Sequence, residues 1–138
     1  MSIQQFAKQL TFTIEDLMTT KQDTLVNVIQ NNLDPLEITE RPVHCSNVAK
    51  RKWHVKDETD GWKKDDGKAL IKTTDHEICK KWAPMFEATH PNWMDNEHQQ
   101  DEYLNLLNTA VERIPPKVEA RVLSALGETT KIDADKMK

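Results

Sequence analysis

Glycine is scarce in this sequence, with three residues in 138. Sandwiches and barrels need many turns, so this shortage argues against them. No two glycines stand close enough to cradle a phosphate, which excludes a phosphate-binding loop. Two cysteines do not make a disulfide framework, and a reducing compartment is the default expectation. No apolar run approaches the roughly 20 residues of a membrane span. The N-terminus shows no basic-then-apolar signal segment, and no membrane contact is expected. What is abundant is charge, at 30% of residues against 37% hydrophobic. The length suits one domain with a small core and a heavily charged surface.

The net charge of −4 is unevenly spread. Residues 1–45 carry a balance of −3 and residues 73–114 a balance of −5. Residues 46–72 carry +3, with eight basic and five acidic side chains. Nucleic-acid-binding chains are usually basic overall, so here at most one short segment suits that work.

No proline or glycine precedes Pro35. One long helix over Ser2–Leu33 is therefore expected, with Ile3, Phe6, Leu10, Ile14, Leu17, Leu25 and Val28 along one stripe. Such length and so narrow a seam suggest packing against another chain, and these seven side chains are the candidate self-association residues. The alternative is two helices broken near Thr11–Thr13, where Thr13 and Asp16 form a capping pair. Pro35 ends the helical region, and Leu36–Val43 reads as an extended connection. Ser46 or Asn47 caps a short turn through Lys50.

Trp53 and Val55 alternate with polar residues, as in a strand, and Asp60-Gly61 signals a hairpin turn. Trp62 begins the return strand and is expected to face Trp53 or Val55 across the ribbon. A helix then fits Lys68–Trp82, stopped by Pro84. Another runs from Asp95 or Asn96 to about Arg113. A last one starts at Pro116 and stops at Gly127. The expected fold is α+β and mostly α: a long N-terminal helix, one small β-hairpin and three to four further helices. Its parts are a stem over 1–34, a compact module over 35–127 and a flexible tail over 128–138.

The side chains offer three chemistries. His44, Cys45, His76 and Cys79 contain the donors for tetrahedral zinc, but adjacent ligands and the lack of a paired-cysteine motif weigh against it. No metal and no cofactor is expected. A Cys–His couple lacks any spacing that specifies an oxyanion hole or an orienting third residue, so no catalytic residue and no small-molecule substrate are expected. Finally, Lys50, Arg51, Lys52, Lys56, Lys63 and Lys64 cluster around Trp53 and Trp62, where lysines suit phosphates and an indole suits a base. Against this stand Asp57, Asp60, Asp65 and Asp66 in the same segment. The four tryptophans are also more economically placed in a shared core.

The box Arg41-Pro42-Val43-His44-Cys45-Ser46, followed by Lys50-Arg51, Val55-Lys56-Asp57 and Trp62, resembles a viral pattern. It is similar to the C-terminal region of uncharacterised proteins of large nucleocytoplasmic DNA viruses. Several of these carry an N-terminal KilA-N-type DNA-binding domain and then a coiled coil. The resemblance covers about residues 25–110. This chain departs from the pattern in having no room for the DNA-binding domain, and in Asn47 where aspartate is common. The resemblance implies a viral, non-enzymatic interaction module that oligomerises or meets other viral proteins, in the host cell interior, in a cytoplasmic factory or virion. It implies structural roles for Arg41, Pro42, His44, Cys45 and Ser46. A nucleic-acid-binding accessory protein using the basic hairpin is the alternative.

Overall fold

In the computed structural model, which describes the backbone of residues 1–130 and side chains through Gly127, the N-terminal third is not one helix. Helix α1 spans Ile3–Gln9, a 3-10 turn spans Glu15–Leu17, and α2 spans Lys21–Leu33. The break falls at the threonines. Asn32 of α2 accepts from the Thr11 amide at 2.9 Å and donates to its carbonyl at 2.7 Å, which folds the chain back on itself. The Thr13 hydroxyl accepts from the Asp16 amide while Asp16 accepts from the Thr13 amide, a reciprocal cap on the turn.

A seven-residue helix is marginal alone. Both ends of α1 are tied down. Ser2 and Gln5 form a capping box at its start. At its end, Lys81 donates to the carbonyls of Ala7, Lys8 and Leu10 at 3.2–3.3 Å. A lysine there satisfies orphan carbonyls and suits the negative pole of the helix.

This break changes the fate of the N-terminal stripe. Ile3, Phe6, Leu10, Leu17, Leu25 and Val28 are all buried in the chain's own core, and Ile14 packs against it. They are therefore not a seam for a second chain, because the folded-back helices bury them together with Ile71, Ile78 and Val122. The N-terminal segment belongs to the core, not to a separate stem.

The sheet has three strands rather than two. After a 3-10 turn at Ile38–Glu40 come β1 (Val43–Asn47), β2 (Lys52–Asp57) and β3 (Gly61–Asp65), antiparallel in the order β1-β2-β3. The expected extended connection thus ends in a strand. Val43 and Cys45 point inward with Trp53 and Val55, and all four are buried. Helices α5 and α1 pack behind β1 and β2.

Helix α3 runs Lys68–Thr89, straight through Pro84. Proline inside a helix removes one hydrogen bond and costs about 3 kcal/mol. The stripe Ile71, Thr74, Ile78, Trp82, Phe86, apolar but for Thr74, continues past it and is buried throughout. Burying Phe86 offsets that cost, since losing a buried phenylalanine is worth about 3–5 kcal/mol. Phe86 stacks on His90 at 4.2 Å and meets Tyr103 edge-on at 5.5 Å, while Trp93 stacks on Tyr103 at 4.1 Å.

Helix α4 spans Glu97–Val111, capped by the Asn96 side chain on the Gln99 amide. Helix α5 spans Pro116–Thr130. Gly127 does not stop α5. It lies within the helix where a Cβ would come 2.9 Å from Val48, so it serves a close approach to the β1–β2 turn. The expected tail begins inside α5, and residues 131–138 lie outside the described residues. The chain is α+β and mostly helical, with five α-helices and one small antiparallel sheet among the described residues.

Candidate nucleic-acid interface

Register decides what the sheet presents. Asp57 pairs with Gly61, which leaves a three-residue loop, Glu58–Asp60, with Gly61 at φ +71°. Trp62 therefore pairs with Lys56, and Lys64 with His54. This corrects the expected Trp62 pairing with Trp53 or Val55. Those two face the core, while Trp62 lies on the opposite, outer face and is 40% exposed. The four tryptophans accordingly do not converge. Trp53 lies under the sheet, Trp82 and Trp93 join Tyr103, and Trp62 stands outside.

The outer face carries His44 and Ser46 from β1, Lys52, His54 and Lys56 from β2, and Trp62 and Lys64 from β3. His44 is buried on this face because the Trp62 indole stacks over it, with centroids 5.1 Å apart and planes at 28°. Ser46 Oγ lies 3.3 Å from His54 Nε2 and donates to the Lys52 carbonyl. Burial, aided by Arg41 and then His54, holds the His44 pKa below its ordinary value. Burial and then Lys64 do the same to His54. Both imidazoles are thus neutral at pH 7, and the formal positive charge of the face comes from its lysines.

The four aspartates that argued against a basic site are engaged elsewhere. Asp57 accepts from Gln4 at 2.8 Å and from the amides of Thr59 and Asp60. Asp60 pairs with Lys63 at 2.9 Å. Asp65 caps α3 through the amides of Gly67 and Ala69. Asp66 accepts from the Lys68 amide and pairs with its ammonium. Among the described residues, no carboxylate pairs with Lys50, Lys52, Lys56 or Lys64.

The six candidate cations do not all serve one surface. Lys52, Lys56 and Lys64 share the outer face, and Lys50 is exposed in the adjoining turn. Lys63 has the opposite parity and is paired with Asp60. Arg51 is tied to Glu119 at 2.7 Å and to the Asp66 carbonyl, locking the β1–β2 turn to α5. A cavity of about 170 Å³ opens beside these lysines, lined by Arg51, Lys52, Trp53, His54, Lys64 and Asp65.

The box residues hold this sheet. Arg41 donates to the Leu36 carbonyl, and the Pro42 carbonyl accepts the Lys56 amide at 2.8 Å. Cys45 is fully buried on the inner face. Asn47 accepts the Lys50 amide and closes the turn. Cys79 is apart from all this. Its thiol donates to the Ala110 carbonyl at 2.9 Å, and burial and then Asp75 push its pKa up, which opposes thiolate chemistry. No group of three or more metal-ligating side chains converges among the described residues.

Two larger cavities, about 600 and 570 Å³, flank Met18 between the first 3-10 turn, α3 and α4. The second contains a string that sequence reading missed. Thr89 Oγ1 lies 2.8 Å from His90 Nδ1, and His90 Nε2 lies 3.7 Å from Glu102. A hydroxyl, an imidazole and a carboxylate in a row suggest nucleophilic chemistry. Here the hydroxyl donates to the carbonyls of Met85 and Phe86, and His90 Nδ1 also lies 3.2 Å from the Phe86 carbonyl. Those bonds finish the C-terminus of α3, and the string is a helix cap. The Thr-His-Pro sequence at the helix end was its signal.

Comparison with protein-family models, with curated proteins and with solved structures finds no match to this chain.

The two outer-face histidines predict a pH response. Their folded pKa values lie below the ordinary 6.5, so the unfolded chain takes up protons first as pH falls. Stability is therefore held above about pH 6.5 and declines below it, toward the folded pKa values. Protonation would set His44 beside Arg41 and the cross-strand His54, and His54 beside Lys64. Urea midpoints should drop between pH 7.5 and 5.5, and His44→Phe should flatten that drop. Equal midpoints at both pH values would contradict the assignment.

Proposed function

We propose that this chain is a non-enzymatic nucleic-acid-binding accessory protein of a large DNA virus, acting in the host cell interior, in the viral factory or virion. The observation that carries the binding is the division of charge at the sheet. Asp57, Asp60, Asp65 and Asp66 are used in turns, caps and local pairs, while Lys52, Lys56 and Lys64 share one open face with no ion pair among the described residues. Unpaired lysines on a common face neutralise phosphates and release their counterions. The viral setting is supported by the resemblance of the box and the segment after it.

The test is a titration with labelled oligonucleotides at 50 and 200 mM salt. Three to four lysines on a single strand should give a log–log slope of about −2 to −3, or about 20- to 50-fold weaker binding at the higher salt. Binding that ignores salt, or no binding at either concentration, would reject the reading.

A second reading keeps self-association but moves it. On α4, Leu104 and Val111 are 53% and 65% exposed, and Leu107 lies between them on the same stripe. With the N-terminal stripe buried, this uncharged row is the exposed surface that the matching row of a second copy complements in a two-fold contact. Light scattering at high concentration should show a dimer that Leu104→Glu dissociates. A monomer throughout would remove this reading and leave the first intact.

A further inference from the structure

We infer that the outer sheet face selects single-stranded over duplex nucleic acid, with a base stacked on the outward side of the Trp62 indole. This rests on the face being a nucleic-acid surface. It names which form of nucleic acid the face accepts and which side chain makes the choice.

Trp62 is both open to solvent and fixed in place. Its ring is 40% exposed on the open face, and its one ring partner among the described residues is His44, stacked at 5.1 Å. His44 is buried on β1, so the indole is held flat from behind. A fixed aromatic plane offers stacking without first losing rotamer freedom. Every base has a π-face, so such a platform accepts any sequence.

Two lysines flank the indole on the same face. Lys56 is the cross-strand partner of Trp62, and Lys64 is two residues along the same strand on the same face. Strand spacing and rise put their backbones about 5 and 7 Å from that of Trp62. Both ammonium groups can therefore reach the phosphates flanking a base seated on the indole. The cavity of about 170 Å³ continues the track past Lys64 toward Lys52 and Arg51.

A duplex cannot offer this face a base. In a duplex the base faces are hidden in the stack, and the major groove admits one helix or a two-stranded ribbon. This face is three strands wide, about 10 Å between outer strand axes before side chains are added. It meets a duplex only at the backbone, where Trp62 gains nothing.

The test uses fluorescence anisotropy on the full chain at 50 mM salt with three probes: a labelled dT 12-mer, a rU 12-mer and a 12-base-pair duplex. The single strands should bind at least about tenfold tighter than the duplex. Trp62→Ala should weaken single-strand binding by about tenfold or more and leave duplex binding unchanged, while Trp62→Phe should restore most of it. The dT and rU arms report whether DNA or RNA is preferred, and either preference supports the inference. Circular dichroism melts of both variants guard against lost folding. Equal single-strand and duplex affinity, with Trp62→Ala and Trp62→Phe both silent, would overturn the stacking role yet leave a salt-dependent backbone binder. Absence of salt-sensitive binding to all three probes overturns the underlying reading as well.

Discussion

Charge reversal at Lys52, Lys56 and Lys64 together is expected to weaken nucleic-acid binding by about 100-fold or more, with folding left intact. That loss corresponds to about 2.7 kcal/mol of binding. The three ammonium groups stand on one face with no carboxylate partner among the described residues, so each is available to a phosphate. Their replacement by Glu removes three attractions and adds three repulsions in the same small area. The salt dependence should vanish along with the affinity. Exposed substitutions away from caps and cores usually shift stability within about 0.5 kcal/mol, so the melting curve should hardly move. The control is Lys63→Glu together with Lys68→Glu. Both residues are lysines of the same segment, but each is paired with an aspartate, Lys63 with Asp60 and Lys68 with Asp66. If the control pair reduces binding as much as the triple variant does, net charge rather than this face is responsible.

The difference between the two sets of lysines was only half legible in the sequence. The basic excess of residues 46–72 is plain from composition, and so is a hairpin near Asp60-Gly61. The face was not. A two-residue turn centred on Asp60-Gly61 would have paired Trp62 with Thr59 and put it on the same face as Trp53 and Val55, whereas the actual three-residue loop makes Lys56 its partner. Side chains alternate with a period of two, so an odd shift of register turns every residue of the return strand over. What fixes the loop is the Asp57 carboxylate, which accepts the amides of Thr59 and Asp60 while Gln4 of α1 holds it from outside. A partner 53 residues away leaves no local trace.

Strand β1 did leave a trace. In Val43-His44-Cys45-Ser46 apolar and polar residues alternate, the same signal that marks β2. Pro42, which keeps Arg41 extended, is equally compatible with a connection. The N-terminal helices show the opposite case. A three-to-four spacing runs from Ile3 to Leu33 with one gap, between Leu17 and Leu25, yet the break at Thr11–Thr13 depends on Asn32, 21 residues on from Thr11, and the end of α1 depends on Lys81. Periodicity says which side chains are buried and is silent about whether the chain doubles back to bury them. The same stripe that suggested a second chain is satisfied by the first.

The polar contacts behind the sheet carry the other large prediction. Lys21 is the first residue of α2, 5% exposed in a core that otherwise excludes charge. Its ammonium donates to the Ala110 carbonyl at 2.9 Å, near the end of α4, and pairs with Asp75 of α3. One side chain thus ties three helices together. Lys21→Met is expected to destabilise the fold by about 3 kcal/mol, because removing one partner leaves the Asp75 carboxylate, a quarter exposed, without its counter-charge. The Ala110 carbonyl would keep only the weak Cys79 thiol as a donor. Against a total of about 5–15 kcal/mol, that is a large share, and the melting point should fall by about 10 °C. Lys21→Met combined with Asp75→Leu should recover most of the loss, since a buried pair replaced by apolar groups of similar volume is often neutral. Urea titration of the single and double variants separates the cases. A single variant costing less than about 1 kcal/mol would mean that water reaches Asp75 and that the bridge is not what holds α2 to α3 and α4. The cluster lies in the helical layer, away from the outer face, so oligonucleotide affinity of the folded fraction should be unchanged in both variants.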